Sequence, residues 1–132
     1  MKITGLILCA ALLAHGGVHA ADPVRKVRVE LAVGAPAQKL SGKIKGYESV
    51  DYTFDVAAGQ TVMVALKTSN TSNYFNVSKE GADEALFVGS RDGDSYKAVV
   101  QAAGTYKVRV YLMRNAARKN ATANYVLDIG GK

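Results

Sequence analysis

The sequence predicts an all-β protein, a single antiparallel β-sandwich of about eight short strands. Three observations support this fold class. Successive short segments alternate apolar and polar residues with a period of two, and turn-forming residues separate these segments at regular intervals. A third observation is that no segment shows a sustained helical period. Each predicted strand has one apolar face to bury, and two sheets packed face to face bury all of these faces.

Residues 1–20 are predicted to lie outside that fold. They contain one cation at Lys2, an apolar run from Ile3 to Leu13, and small residues ending in "VHA". This is the layout of a cleavable secretory signal peptide. The apolar run is shorter than the roughly 20 residues of a membrane-spanning helix, and no membrane span is predicted. We place the cleavage after Ala20 and predict one domain over residues 21–132.

Three segments in the first half of this domain alternate cleanly and are predicted to be strands: 24–33, 38–47 and 50–56. In the first of them, the apolar face consists of Val27, Val29, Leu31 and Val33. The second contains Gly42 and Gly46, where a bulge or a close approach of the backbone is expected. The sequence "AAGQ" then predicts a turn, and "TVMVALKT" predicts a returning strand.

The second half continues the same pattern. "YFNV" and "ALFVG" predict short strands, "SRDGDS" has the composition of a turn, and "YKAVVQ" leads into the strand "AAGTYKVRVYL". "NYVLDI" closes the fold. The pattern of "YTFDVAAGQTV" followed by "AAGTYKVRVYL" resembles the small β-sandwiches of the pre-peptidase C-terminal type, a resemblance that says little about function.

The composition of the predicted domain excludes several kinds of site. Cys9, His15 and His19 are the only cysteine and histidines of the chain, and all three lie in the predicted signal peptide. The domain therefore lacks a Ser-His-Asp or Cys-His catalytic group and the usual Cys/His zinc site. We predict no metal and no cofactor. Without Lys2, 16 basic residues face 11 acidic ones, a net charge of +5.

Carboxylates are the remaining candidates for catalysis, because a glycosidase needs only two of them. The eleven carboxylates fall mostly on the polar faces of predicted strands or in turns, and none lies within an apolar run. Asp92 and Asp94 have the spacing of two calcium ligands, but Asp-Gly is also a common turn composition and the further oxygen ligands are missing. We predict that the protein is not an enzyme.

Basic residues interleaved with aromatic ones also raise nucleic acid as a partner; the candidates are Lys43, Lys45, Tyr47, Arg114, Arg118 and Lys119. The predicted export and the moderate net charge argue against it, and no nucleic-acid partner is predicted. Most aromatic residues are in phase with the apolar faces and are expected in the core. Tyr47 is the exception, since it follows Gly46 in a turn-like segment where its ring is expected to be exposed.

The segment "RNAARKN" (114–120) carries three cations within six residues. If it forms one helical turn, Arg114 and Arg118 share a face at positions i and i+4. Guanidinium groups suit carboxylates because their planar fork donates two parallel hydrogen bonds, and Asn115 adds a neutral donor and acceptor. A solvated basic loop is the alternative interpretation of this segment.

Two segments, "SGKIKGYESVDYTF" and "RNAARKNATANYVLDI", closely resemble the bacterial periplasmic inhibitors of g-type (goose-type) lysozyme, and the match extends over residues 22–132. The resemblance implies a periplasmic β-sandwich that inserts two loops into the lysozyme active-site cleft and so protects peptidoglycan. Its partner would be a g-type lysozyme such as that of an animal host.

By the same resemblance, the inserting residues are Tyr47, Arg114, Asn115 and Arg118. Residues that shape or flank the site, completing the predicted lysozyme-binding set, are Ser41, Gly42, Lys45 and Lys119. Other bacterial lysozyme inhibitors carry Ser-Gly-x-x-Tyr, and the spacing from Ser41 and Gly42 to Tyr47 is wider in this chain. An envelope carbohydrate-binding module is the alternative function, although the absence of Trp for sugar stacking counts against it.

Overall fold

The structure is a computed structural model, and it describes residues 24–132. The predicted signal peptide and its cleavage site therefore lie outside the described residues. The strands are β1 (Val24–Arg28), β2 (Gln38–Lys45), β3 (Ser49–Val56), β4 (Thr61–Thr68), β5 (Asn73–Lys79), β6 (Ala85–Val88), β7 (Ser95–Val99), β8 (Gly104–Leu112) and β9 (Thr122–Gly131). Two single-turn helices, α1 (Gly89–Asp92) and α2 (Arg114–Ala117), follow β6 and β8.

The strands form two sheets, and the predicted β-sandwich is confirmed. One sheet has the order β1-β3-β8-β5-β6 and the other has the order β2-β9-β4-β7. Every pair is antiparallel except β1 and β3, which run parallel. Parallel neighbours need a crossover between them, and β2 provides it by pairing in the opposite sheet.

The first strand is shorter than its alternation predicts. The prediction extended it to residue 33, whereas β1 ends at Arg28. Val29 is still buried and donates a backbone hydrogen bond to the carbonyl of Thr53, but Val33 is 73% exposed. The chain turns at Gly34, whose φ is +80°, because it must leave this sheet to start β2 in the other one.

A second difference concerns "SRDGDS", which was predicted to be a turn. Its first residues belong to the helical turn α1, and the chain then passes through Gly93, with φ of +117°, into β7. The Asp92 carboxylate accepts a hydrogen bond from the Val88 backbone and two from Arg91. These local bonds hold the helical turn closed, which the composition alone did not reveal.

The core consists of the inner faces of the two sheets, as the alternation predicts. Its largest fully buried side chains are Phe54, Phe75, Ile44, Leu127 and Ile129. Burying an aliphatic or aromatic side chain of this size stabilises the fold by about 1.5–3 kcal/mol. One polar contact crosses this core, a 2.7 Å hydrogen bond between the hydroxyls of Tyr52 and Tyr125.

Three connections meet at one end of the sandwich, which we call the loop end. They are the β2–β3 turn (46–48), the β4–β5 loop (69–72) and the β8–β9 segment (113–121). The strand registers bring them together, because Lys45 pairs with Thr122, Thr68 pairs with Tyr125, and Asn73 pairs with Leu112. The sheets thus present residues that are far apart in sequence on a single surface.

Candidate functional site

The segment "RNAARKN" forms a helical turn, which is the condition under which Arg114 and Arg118 were expected to share a face. The Arg118 backbone N–H donates to the carbonyl of Arg114 at 3.0 Å, and Ala117 donates to Met113 at 2.9 Å. Arg114 and Arg118 are therefore joined by an i to i+4 hydrogen bond and lie on the same side of the turn. Both side chains are exposed, as is Asn115.

So short a helix is not stable by itself, and burial holds α2 in place. Ala117 is only 1% exposed, and Ala116 packs against the core. The turn ends at Asn120, whose φ of +53° is left-handed. Around it, Ala121 donates to Ala116 and Asn120 donates to Ala117, which is the Schellman pattern of helix termination.

The second predicted loop is a tight turn that presents Tyr47. The Glu48 backbone donates to the carbonyl of Lys45 at 3.2 Å, and the Glu48 carboxylate accepts from the Lys45 backbone at 3.3 Å. Gly46 has a φ of +62°, a conformation that glycine adopts without strain. The turn leaves the Tyr47 side chain 46% exposed, as predicted.

The two loops are in direct contact. The Gly46 N–H donates to the carbonyl of Ala121 at 2.9 Å. A Cβ added at Gly46 would lie 2.9 Å from the side-chain oxygen of Asn120, which leaves little room for a side chain. The Tyr47 turn is thus fixed against the end of the segment that carries Arg114 and Arg118.

The remaining predicted residues divide into two groups. Lys45 and Lys119 are exposed at the loop end, Lys45 at the last residue of β2 and Lys119 just after α2. Ser41 is exposed on β2 but pairs with Val126, four residues before Lys45 and so about 13 Å along the strand. The structure does not bring Ser41 to the contact between the two loops.

Gly42 has a packing role. It pairs with Tyr125, and a Cβ at this position would overlap the Tyr125 hydroxyl and ring. Tyr125 uses that space to reach Tyr52 across the core. Burial and this hydrogen bond raise the pKa of Tyr125 well above its usual value, and the nearby Arg25 offsets only part of that rise.

The cations of the loop end have no acidic partners among the described residues. The ion pairs within residues 24–132 join Arg28 to Glu30 and Asp55, Lys39 to Asp128, Arg91 to Asp92, and Arg109 to Asp51. None of these pairs contains Arg114, Arg118 or Lys119. Their charge is therefore available to an external anionic group.

One carboxylate differs from its prediction. The carboxylates were predicted to lie mostly on polar strand faces or in turns, yet Asp51 is only 3% exposed. Its strand lies between β1 and β8, and Arg109 covers it with two hydrogen bonds of 2.6 and 2.8 Å. This pairing raises the pKa of Arg109, and it makes Asp51 part of a structural ion pair.

Residues 24–132 contain no group of three His, Cys, Asp or Glu side chains able to hold a metal ion. The same residues contain no helix that is long and apolar enough to cross a membrane.

The sequence analysis missed one neighbour of α2, the β4–β5 loop. Its signal was Asn70 followed two residues later by Ser72, a pattern typical of an Asx turn.

No family model matches the chain. Over 135 aligned residues, however, it is 34% identical to the inhibitor of g-type lysozyme from Escherichia coli (strain K12), with 98% of each chain covered. The chain belongs to the family of g-type lysozyme inhibitors. This confirms the family that its two loop segments indicated.

Solved structures of g-type lysozyme inhibitors have the same fold. The Aeromonas hydrophila inhibitor PliG superposes with a TM-score of 0.75 at 32% identity, covering 85% of this chain and 100% of that one. Salmonella Typhimurium PliG gives 0.62 at 28% identity, covering 82% and 98%. Both are described as periplasmic inhibitors of g-type lysozyme.

A further structural likeness concerns the fold alone. The pre-peptidase C-terminal domain of a Bacillus anthracis collagenase superposes with a TM-score of 0.57 at 16% identity, covering 86% of this chain and 100% of that one. The resemblance of strand pattern noted in the sequence therefore corresponds to a shared sandwich.

Proposed function

We propose that this protein is a periplasmic inhibitor of g-type lysozyme. It is exported by a signal peptide cleaved after Ala20, and it inserts the Tyr47 turn and α2 into the lysozyme active-site cleft, which protects peptidoglycan from hydrolysis. The observation that supports this proposal is the contact between the two loops, since it joins the Tyr47 turn to the segment that carries Arg114 and Arg118 in a chain from this family.

The charges of the two surfaces are complementary. A glycosidase cleft holds carboxylates that protonate the glycosidic oxygen and stabilise an oxocarbenium-like transition state. Arg114 and Arg118 have no acidic partners among residues 24–132 that would compete for them. Each guanidinium can therefore bind a cleft carboxylate by two charge-assisted hydrogen bonds and hold it away from substrate.

The other residues have supporting roles. Tyr47 supplies a large, partly apolar ring, and Tyr and Arg are the side chains most enriched at interface hot spots. Asn115 offers one donor and one acceptor beside Arg114, and Lys45 and Lys119 add positive charge at the rim. Ser41 lies on β2, farther along the strand from the contact between the two loops. An inhibitor of this kind needs no catalytic group of its own.

An inhibition assay tests the proposal. Residues 21–132 are purified and titrated against goose-, chicken- and invertebrate-type lysozymes side by side, and we expect inhibition of the goose type. Tyr47→Ala should weaken it by about 2 kcal/mol, the scale of a hot-spot residue. Leu86→Ala, a change at an exposed apolar residue of β6, is the control. Full activity of the goose-type enzyme with excess wild-type protein would contradict the proposal.

A carbohydrate-binding module is the second candidate, and one observation favours it. A cleft of about 680 Å³ is lined by Lys67, Thr71, Asn73, Tyr74 and Asp94, among others. The ammonium, hydroxyl and carboxylate groups of this lining can donate to and accept from sugar hydroxyls. Calorimetric titration with peptidoglycan fragments separates the two candidates, because only a glycan-binding module gives saturable heat.

A further inference from the structure

The β4–β5 loop borders α2 on the side away from the Tyr47 turn. Its Ser72 carbonyl accepts a hydrogen bond from the Met113 backbone at 2.9 Å, immediately before α2. The Asn70 side-chain nitrogen donates to the Thr122 carbonyl at 3.2 Å, immediately after the segment that contains α2. One loop of four residues therefore contacts both ends of the arginine-bearing segment.

Asn70 connects these two contacts. Its side-chain oxygen accepts from the Ser72 N–H at 2.9 Å, and its backbone carbonyl accepts from Asn73 at 3.0 Å. These bonds form the turn that orients the Ser72 carbonyl to accept the hydrogen bond from Met113. The orientation of the amide is defined, because its oxygen meets an N–H group and its nitrogen meets a carbonyl.

The loop is itself anchored to the sheet. The Ser69 N–H donates to the Asn124 carbonyl at 2.9 Å, and the Ser69 hydroxyl accepts from the Asn124 N–H at 3.0 Å. Asn70 thus lies between a fixed strand and a helical turn of only four residues. Since such a turn depends on its surroundings for its order, the side chain of Asn70 is well placed to supply it.

We infer that Asn70 is a positioning residue of the inhibitor: it holds α2 in its binding conformation before lysozyme arrives. This inference rests on the proposed function, and it adds a third loop to the two that carry the inserting residues. Ordering the arginines in the free protein lowers the entropic cost that binding would otherwise incur. Loss of the Asn70 contacts should therefore weaken binding through Arg114 and Arg118.

The test uses Asn70→Ser, in which a serine oxygen can still accept from Ser72 but is too short to reach Thr122. The matched control is Asn124→Ser, an exposed asparagine on β9 whose side chain has no hydrogen bond within residues 24–132. In the free protein, amide hydrogen exchange of Ala117 and Arg118 should accelerate about two- to tenfold in Asn70→Ser only, the equivalent of one neutral hydrogen bond.

Binding to goose-type lysozyme gives the second readout. The Kd should rise by a similar factor, about two- to tenfold, in Asn70→Ser and stay unchanged in the control. In a double-mutant cycle, the effect of Asn70→Ser should largely disappear in the Arg114→Ala/Arg118→Ala background. A purely structural role would weaken binding equally in both backgrounds.

The outcomes are distinguishable. Unchanged exchange at α2, or equal losses in both backgrounds, overturns the positioning role of Asn70 even if the wild type inhibits lysozyme. Faster exchange at α2 without any inhibition by the wild type overturns the proposed function instead. If Asn70→Ser unfolds below the assay temperature, Asn70→Asp keeps the acceptor and loses only the donor, and Asn124→Asp controls for its charge.

Discussion

The two single-turn helices of this protein differ in whether their arginines are paired with an acidic residue. In α1, Arg91 donates two hydrogen bonds of 2.9 and 3.0 Å to the neighbouring Asp92, which neutralises its charge within the turn. In α2, Arg114 and Arg118 are exposed, and no ion pair of residues 24–132 includes them. Both helices have four residues, yet only α2 presents free positive charge.

This difference distinguishes a turn whose arginine is paired internally from the turn that we propose to bind lysozyme. The Asp92 carboxylate also accepts from the Val88 backbone, and its bonds hold the chain between β6 and β7. In α2 the same task falls to the buried Ala117 and to Asn120, which are uncharged. Because neutral residues hold the turn, its arginines are left available for a partner.

The largest expected effect comes from removing the charge of α2. Arg114→Ala/Arg118→Ala should cost about 2–4 kcal/mol of binding free energy toward goose-type lysozyme, with the fold intact. The control Arg91→Ala removes a guanidinium of α1 that is also exposed, and it should leave inhibition unchanged. Inhibition constants and thermal unfolding of the variants measure both effects, and equal losses from the two helices would contradict the comparison.

A smaller effect is expected from making α2 resemble α1. Asn115→Asp places a carboxylate next to Arg114, as Asp92 follows Arg91. Internal pairing and repulsion from the cleft carboxylates should together weaken inhibition by about 1 kcal/mol. Asn124→Asp adds the same charge on β9 and should have less effect, whereas equal effects of the two variants would show that only net charge matters.

The salt dependence of binding should show which helix contributes the charges that attract lysozyme. Raising the ionic strength from about 0.05 to 0.5 M should weaken wild-type binding a few-fold, since the Debye length falls below the reach of exposed charges. The slope should flatten in Arg114→Ala/Arg118→Ala and remain unchanged in Arg91→Ala. Surface plasmon resonance over this range, with association and dissociation rates fitted separately, measures it.

The smallest effect concerns the stability of α1 in acid. The hydrogen bonds from Arg91 and the Val88 backbone lower the pKa of Asp92 to about 2, from 3.8. Because the folded-state pKa is depressed, this carboxylate stabilises the fold above about pH 4 and loses that contribution as the pH falls toward 2. The difference in Tm between wild type and Asp92→Asn should be constant from pH 7 to 5 and shrink below pH 4.

In the Arg91→Gln background the Tm difference between Asp92 and Asp92→Asn should depend less on pH, because the main cause of the lowered pKa of Asp92 is gone. Inhibition at neutral pH should be the same in wild type and Asp92→Asn. A Tm difference that persists at pH 2 would mean that Asp92 acts through packing instead of charge.

Much of the fold was predictable because its signal is local. The alternation in "VDYTFDV" and "AAGTYKVRVYL" identified the buried faces of β3 and β8 without any knowledge of their partners. The same rule extended β1 too far, to residue 33, since it cannot detect a strand that leaves its sheet. It also could not predict that β1 pairs in parallel with β3.

The candidate site was predictable in part. Tyr47, Arg114 and Arg118 were predicted from turn composition, charge and family resemblance, and the helical turn satisfies the i to i+4 condition placed on the arginines. Ser41 and Gly42 came from the same resemblance, but the structure places Ser41 away from the contact between the loops and packs Gly42 beneath Tyr125.

By itself, the sequence determined most of the residues that face the core, most of the turns, and that the turns predicted to be exposed carry tyrosine and arginine but no histidine or cysteine. These are properties of neighbouring residues, and short-range sterics and hydrophobic periodicity dictate them. Only the tertiary structure decided that Gly46 bonds to Ala121, that Asn70 contacts Thr122, and that Asp51 is covered by Arg109. Each of these contacts joins residues at least 50 positions apart, and the pairing of strands sets them.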